Sequence, residues 1–281
     1  MKNAELKAGA DLEADHPGFH DPIYRDRRKM IADIAIHYKG GPVPKVDYSK
    51  EEIGTWGVAL GELNRLFPKS ACKEYLKVFQ ELNFQPDAIP QLEDVSNFVR
   101  ERTGFWLRPV TGLLSPRQFL NGLAFKCFHS TQYIRHHSLP LYTPEPDIVH
   151  ELVGHVPLLA DPDFAAMTEE IGLASLGATE EEVLHLSTVY WFSVEFGLLK
   201  EADGLKAYGA GVLSSFGELE NALSDAAVKR PFDPPVTALQ EYPITTYQPV
   251  YFVAESFAQA KEQLRAYTST LSTAKGRKKV L

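Results

Sequence analysis

The chain has 281 residues, and 29 Lys and Arg set against 37 Asp and Glu give a formal net charge of −8. That acidic balance argues against a nucleic-acid clamp, which needs a basic surface, and two cysteines, Cys72 and Cys127, are too few for a stapled secreted scaffold. The composition, 44% hydrophobic and 23% charged, can build a sizeable core. The polar N-terminus has no signal-peptide core and no stretch reaches the roughly 18 apolar residues of a membrane helix, so a soluble cytoplasmic protein with no membrane partner is expected.

Residues 1–21 read as a mostly irregular arm ending in His16-Pro17-Gly18 and Asp21-Pro22. An amphipathic helix is predicted from Ile23 to Tyr38, with Met30, Ile31, Ile34 and Ala35 at helical spacing. A second starts at Ser49 with Glu51 and Glu52 behind it and runs to Pro68; a third spans 70–82, and a fourth spans 91–103 and closes at Gly104. The stretch 105–118 reads as a loop whose Ser115-Pro116 supplies an N-cap and first-turn proline for a helix at 119–125. Residues 125–134 are rich in aromatic and β-branched side chains and read as a short strand pair. Helices are predicted at 147–156, 164–175, 179–200, 214–224 and 253–271, and a basic tail occupies 272–281. The picture is one mainly α domain, residues 22–271, with a few short β-strands.

The sharpest local feature is His150-Glu151-Leu152-Val153-Gly154-His155. Side chains four apart on a helix lie about 40° apart, but side chains five apart lie about 140° apart, so this is not the His-Glu-x-x-His pattern of zinc peptidases. Convergence on one ion requires the helix to break near the second histidine. Gly154 and Pro157 supply a break by pushing Val156 out of the α region. The third ligand of a facial triad would be a carboxylate, and Glu195, set in the apolar run Val189–Gly197, is the candidate, because a bare carboxylate there is costly. The plainer alternative pairs Glu195 with an arginine and leaves both histidines as ordinary helix residues.

The block TPEPDIVHELVGHVPLLADPDFA, with YWFSVEFGL, AYGAGVLSSFGELE and TTYQPVYFVAESF, resembles the pterin-dependent aromatic amino acid hydroxylases from about Gly9 to Ala260. The resemblance implies that fold, with iron(II) and a tetrahydropterin as cofactors, O2 as co-substrate, and His150, His155 and Glu195 as the iron ligands. Gly112, Leu114 and Ser115 match the pterin loop, Phe119 would stack on the pterin with His129 beside it, Glu151 would face the pterin side, and Tyr190 would close the pocket. Pro116 stands where vertebrate members usually carry a second serine, which removes that contact.

For the amino acid, Arg135 matches the carboxylate anchor and Asp147 its positioner. Thr143, Gly211, Ser214 and Ser215 match residues at the amino and carboxyl end, and Trp191, Phe196 and Pro146 would form the ring pocket. Trp191 and Phe196 also read as plain core, and Ser215 as an N-cap with Glu218 at capping-box spacing. Trp191 in place of phenylalanine disfavours an indole, and Ile244 in place of aspartate disfavours tyrosine. L-Phenylalanine is thus the expected substrate and tyrosine the product, with tryptophan or tyrosine hydroxylation as alternatives. Arg28 and Glu145 resemble a structural ion pair. His136 and His137, as neighbours pointing different ways, are assigned to no metal, and Cys127 reads as apolar filler. A zinc hydrolase using the same three ligands, with Glu151 as base, and a non-catalytic relative are the rival readings. With the family's catalytic region starting near Gly9 and no heptad helix after residue 271, a monomer is expected.

Overall fold

The computed structural model describes residues 12–244 and 246–272; the basic run Lys275–Lys279 and the first eleven residues of the arm lie outside them. Residues 12–21 form turns, and Asp21 then caps α1 (Pro22–His37) by accepting from the Tyr24 amide. Reciprocal Ser49–Glu52 bonds start α2 (Lys50–Ser70), whose Trp56, Leu60, Leu63 and Phe67 form a stripe of nearly complete burial. Pro68 does not end this helix as the sequence reading had it. Proline removes one rung of the ladder, but the last turn still closes, with the Ala71 amide bonding back to the Phe67 carbonyl at 2.9 Å.

The chain continues through α3 (Lys73–Leu82) and α4 (Leu92–Thr103), the latter closed by Gly104 at a φ of 80°. Next come β1 (Trp106–Pro109), α5 (Pro116–Leu123) with its Ser115–Gln118 capping box, and β2 (Cys127–Ser130). The predicted strand pair at 125–134 is one strand, and its partner is β1, in parallel register from Trp106 opposite Cys127 to Pro109 opposite Ser130. Pro109 fits because it occupies the last position of a two-stranded ribbon.

Two π-turns then interrupt the helical part. The first, π1 (His150–His155), leads into α6 (Val156–Leu159), α7 (Pro162–Ser175) and α8 (Glu180–Tyr190), and the second, π2 (Trp191–Glu195), follows without a break. Beyond it lie β3 (Leu198–Glu201), β4 (Gly204–Ala207), α9 (Ala210–Leu213), α10 (Phe216–Leu223), β5 (Val228–Pro231), α11 (Pro234–Thr237), β6 (Val250–Ala254) and α12 (Phe257–Thr268). The predicted helices 179–200 and 253–271 therefore each overlap a strand, β3 at the end of the first and β6 at the start of the second. Both strands are apolar enough to pass for helix on one side, but they pair in a four-stranded sheet of order β4-β3-β6-β5. One extended core joins α2, π1, α6, π2 and this sheet through Trp56, Leu152, Phe192, Leu198 and Phe252. The architecture is mainly α with few short strands, as expected. Among the described residues no helix is long and apolar enough to cross a membrane.

Candidate metal centre and substrate pocket

The histidines converge by a route different from the one the sequence suggested. Val156 keeps an α conformation (φ −56°, ψ −44°), and Pro157 follows at once, its missing amide falling where the π-turn passes into α6. The helix widens instead of breaking. A π-turn places residues five apart on one face, so His150 Nε2 and His155 Nε2 come within 2.9 Å. Tyr75 donates to the Val153 carbonyl at 2.8 Å inside this turn, and Gly154 lets α9 close in, since a Cβ there would stand 2.7 Å from the Ala210 carbonyl oxygen. The second π-turn ends on Glu195, with the Phe196 amide bonding to the Trp191 carbonyl five residues back. Glu195 Oε1 lies 3.1 Å from His155 Nε2 and Oε2 lies 3.5 Å from His150 Nε2.

This donor set fits a cation. Three bonds of about 2.1 Å at right angles would separate the ligand atoms by about 3.0 Å; the two histidine nitrogens stand 2.9 Å apart, and the Glu195 carboxylate spans them with one oxygen 3.1 Å from His155 and the other 3.5 Å from His150. Burial lowers His150 to about 4, keeping it neutral against the pull of Glu195. Burial acts to raise Glu195, but the two histidines outweigh it and hold the carboxylate at about 2. Burial acts to lower His155, but Glu195 raises it above its ordinary value, so a positive charge is favoured at the point where the three atoms meet. His150 Nδ1 lies 2.9 Å from Ser214 Oγ, which fixes the ring.

The residues matched to the pterin site reach this cluster through Phe128, whose ring lies 4.6 Å from that of His155. Phe119 is half-buried and packs edge-on against Tyr190 (5.1 Å) and Phe128 (5.9 Å), with His129 tilted at 6.4 Å. Burial and the Arg108 charge lower His129 to about 4, so its imidazole is neutral. Glu151 is buried, Oε1 accepting from the Thr131 amide (3.0 Å) and hydroxyl (3.1 Å), and burial pushes it up to about 7. Gly112 and Leu114 lie in the loop between β1 and α5, where Gly112 is buried and Leu114 half-buried. Ser115 spends its hydroxyl on the cap of α5, and Pro116 occupies the first helical position.

Arg135 and Asp147 form a buried two-pronged ion pair, 2% and 1% exposed, with Nε–Oδ2 and Nη2–Oδ1 both 2.8 Å. Asp147 also accepts from the His150 amide, which couples the arginine to the histidine turn. The remaining guanidinium edge meets only long contacts, Nη1 to the Pro140 carbonyl (3.4 Å) and Nη2 to the Ser214 carbonyl (3.5 Å). Thr143 bonds to the Glu145 carbonyl, the Pro146 carbonyl accepts from Thr131, and Ser215 caps α10 through the Glu218 amide. Glu218 does not close a box; its carboxylate takes the Gln248 amide and the Tyr251 hydroxyl.

Trp191 and Phe196 sit 4.6 Å apart, and a Cβ on Gly211 would stand 2.7 Å from the Phe196 ring. Tyr242 stacks on Trp191 at 4.5 Å, and Gln248 accepts the indole N–H at 3.1 Å. The sequence reading missed Tyr242, Gln248, Thr131 and Tyr75. Gln248 was the detectable one, a polar side chain in the apolar run TTYQPVYFV that is 2% exposed. Ile244, expected to face the ring, is 72% exposed and lines nothing. His136 and His137 also depart from expectation, since their rings lie 4.2 Å apart with a 34° tilt and do not diverge. Arg28 and Glu145 do pair, at 2.6 Å, with the guanidinium over the Tyr133 ring, and Cys127 is buried. A cavity of about 520 Å³ between Lys73, Asp161, Glu201 and Phe257 takes no residue from any of these sets.

Phenylalanine-4-hydroxylase of Dictyostelium discoideum is 59% identical over 95% of this chain and 62% of its own length. Tryptophan 5-hydroxylase of Xenopus laevis is 57% identical over 96% of the chain and 57% of its own. The chain thus spans about three fifths of the length of the curated relatives it matches. Phenylalanine hydroxylase from Chromobacterium violaceum, in a structure described as holding iron(III) and oxidised 7,8-dihydrobiopterin, superposes with a TM-score of 0.75 and 33% identity over 80% of this chain and 82% of that one. Residues 1–276 match the family described as biopterin-dependent aromatic amino acid hydroxylase, and the chain belongs to that family.

Proposed function

We propose that residues 22–271 form the catalytic domain of a phenylalanine 4-hydroxylase that uses iron(II) and a tetrahydropterin to convert L-phenylalanine and O2 to L-tyrosine. The observation that carries this reading is the meeting of His150, His155 and Glu195 within 3.5 Å, with the Arg135–Asp147 pair one hydrogen bond from the same π-turn. Those three residues would hold the iron, and iron with the reduced pterin supplies the activation of O2.

The chain's own contribution is binding and orientation. Asp147 holds two donors of Arg135, which leaves the other edge of the fork to take the substrate carboxylate. Trp191, Phe196 and Tyr242 form the ring wall, and Gln248 fixes the indole so that the wall has one shape. That wall excludes water and limits the pocket to one ring, which favours phenylalanine over tryptophan. Phe119 supplies a flat apolar face for the pterin, with neutral His129 beside it. Glu151, with Oε1 tied to the Thr131 amide and hydroxyl, would face the pterin side.

The test is an aerobic incubation of iron(II)-loaded protein with a reduced tetrahydropterin and, in parallel, L-phenylalanine, L-tyrosine and L-tryptophan, read by chromatography. Tyrosine formation from phenylalanine that needs both cofactors is expected. Faster hydroxylation of tryptophan would overturn the substrate reading and keep the family chemistry.

A further inference from the structure

A second group of imidazole and carboxylate donors lies immediately after Arg135 in the chain. Asp21, His136 and His137 each place one ligand atom within 4.8 Å of the others. Two of the three are held in place by hydrogen bonds and face each other. Asp21 spends Oδ1 on the cap of α1, taking the Tyr24 amide at 3.0 Å, and turns Oδ2 toward His136 Nε2 at 3.3 Å. His136 is buried, with Nδ1 2.7 Å from Ser138 Oγ. The Ser138 hydroxyl at 2.7 Å and the Ser138 amide at 3.3 Å both meet Nδ1, which fixes the ring and turns Nε2 to Asp21, and an ion bound there would take the place of the proton shared by Nε2 and Oδ2.

His137 is the adjustable member. It is exposed, its ring lies over that of His136 at 4.2 Å, and its Nδ1 is 3.3 Å from Glu51 Oε1 in the first turn of α2. An ion pair between His136 and Asp21 would account for those two residues alone. It does not account for a second imidazole over the first with a second carboxylate in reach.

We infer that Asp21, His136 and His137 form an accessory site for a divalent transition-metal ion such as zinc(II), with Glu51 within reach as a fourth ligand. Two imidazoles with carboxylates suit zinc, whereas magnesium and calcium favour oxygen donors throughout. Tetrahedral bonds of about 2.1 Å need ligand atoms about 3.4 Å apart. The exposed His137 and Glu51 side chains are free to make that closure, while Asp21 and His136 stay fixed. The ion would tie three segments together: the turn before α1, the start of α2 and the loop that begins at Arg135. It is distinct from the His150–His155–Glu195 cluster and shares no residue with it.

The experiment is a zinc(II) titration of the iron(II)-loaded protein under anaerobic conditions, read by calorimetry and by metal analysis of the dialysed product. One zinc per chain with all the iron retained is expected. Asp21→Asn keeps a capping oxygen, and His137→Ala alters an exposed side chain, so both variants should fold. Each should weaken zinc binding by about tenfold or more without loss of iron, and Glu51→Gln by less. Zinc should raise the Tm of the wild type and not of the two variants. Zinc uptake only in exchange for iron, or undiminished uptake in both Asp21→Asn and His137→Ala, would overturn the proposal.

Discussion

The molecule holds two histidine and carboxylate clusters of like chemistry, and they are built differently. The first draws every donor from a π-turn, with both turns largely buried and the first locked by Gly154 against α9, Tyr75 on the Val153 carbonyl and Ser214 on His150. The second draws one donor from a helix cap and two from adjacent positions of a loop, with His137 and Glu51 exposed. Donor type is therefore not what separates a catalytic centre from an accessory one here. Scaffolding is: the first set is placed before any ion arrives, and the second is completed by the ion.

The largest test of this contrast is removal of a pre-placed ligand. Glu195→Ala should abolish iron retention and lower turnover by about a thousandfold or more; metal analysis and tyrosine production check it. Next is the scaffold itself. Gly154→Val places a Cβ within 2.7 Å of the Ala210 carbonyl oxygen, so it should push α9 and Ser214 from His150 and cut activity by about a hundredfold, seen as weaker iron binding and lower Tm. Arg135→Lys cannot fill both oxygens of Asp147 and still offer a fork. It should raise the apparent KM for phenylalanine about tenfold or more while leaving that for the pterin nearly unchanged. Gln248→Leu releases the Trp191 indole, and a few-fold rise in KM with more hydroxylation of tryptophan is expected.

The smallest effect concerns acid stability. His129 is lowered from 6.5 to about 4 by burial and by Arg108. Its proton is therefore bound by the unfolded chain first, and folding stability should fall as pH drops from about 6.5 to about 4 and level off below. His129→Phe should flatten that limb in urea unfolding curves measured at each pH; an unchanged slope would remove His129 as the cause.

Much of the fold was legible because helix starts and stops are local. Asp21, Ser49, Ser115 and Gly104 mark their termini in sequence and do so in the structure. The site residues His150, His155 and Glu195 were also visible, but their meeting was credited to a broken helix. A regular 3.6-residue period has no place for a π-turn, and nothing in HELVGH differs in composition from an α-helix. The pairing of β1 with β2 was hidden because two four-residue strands separated by a helix carry little alternation. The ring pocket was half legible for a similar reason: Tyr242 and Gln248 reach Trp191 from about 50 residues away, and Ile244 faces solvent. The close approach of the His136 and His137 rings depends on the loop that follows Arg135, which local sequence does not specify.

The central claim is that two π-turns pre-place three donors for one iron. An iron-edge anomalous difference map from a crystal of the iron(II)-loaded protein tests it most directly. The account predicts one strong peak about 2.0–2.3 Å from His150 Nε2, His155 Nε2 and a Glu195 carboxylate oxygen, with 150–155 and 191–195 still in π-turns. A peak away from these atoms, or a regular α-helix at either segment with iron bound, would contradict it.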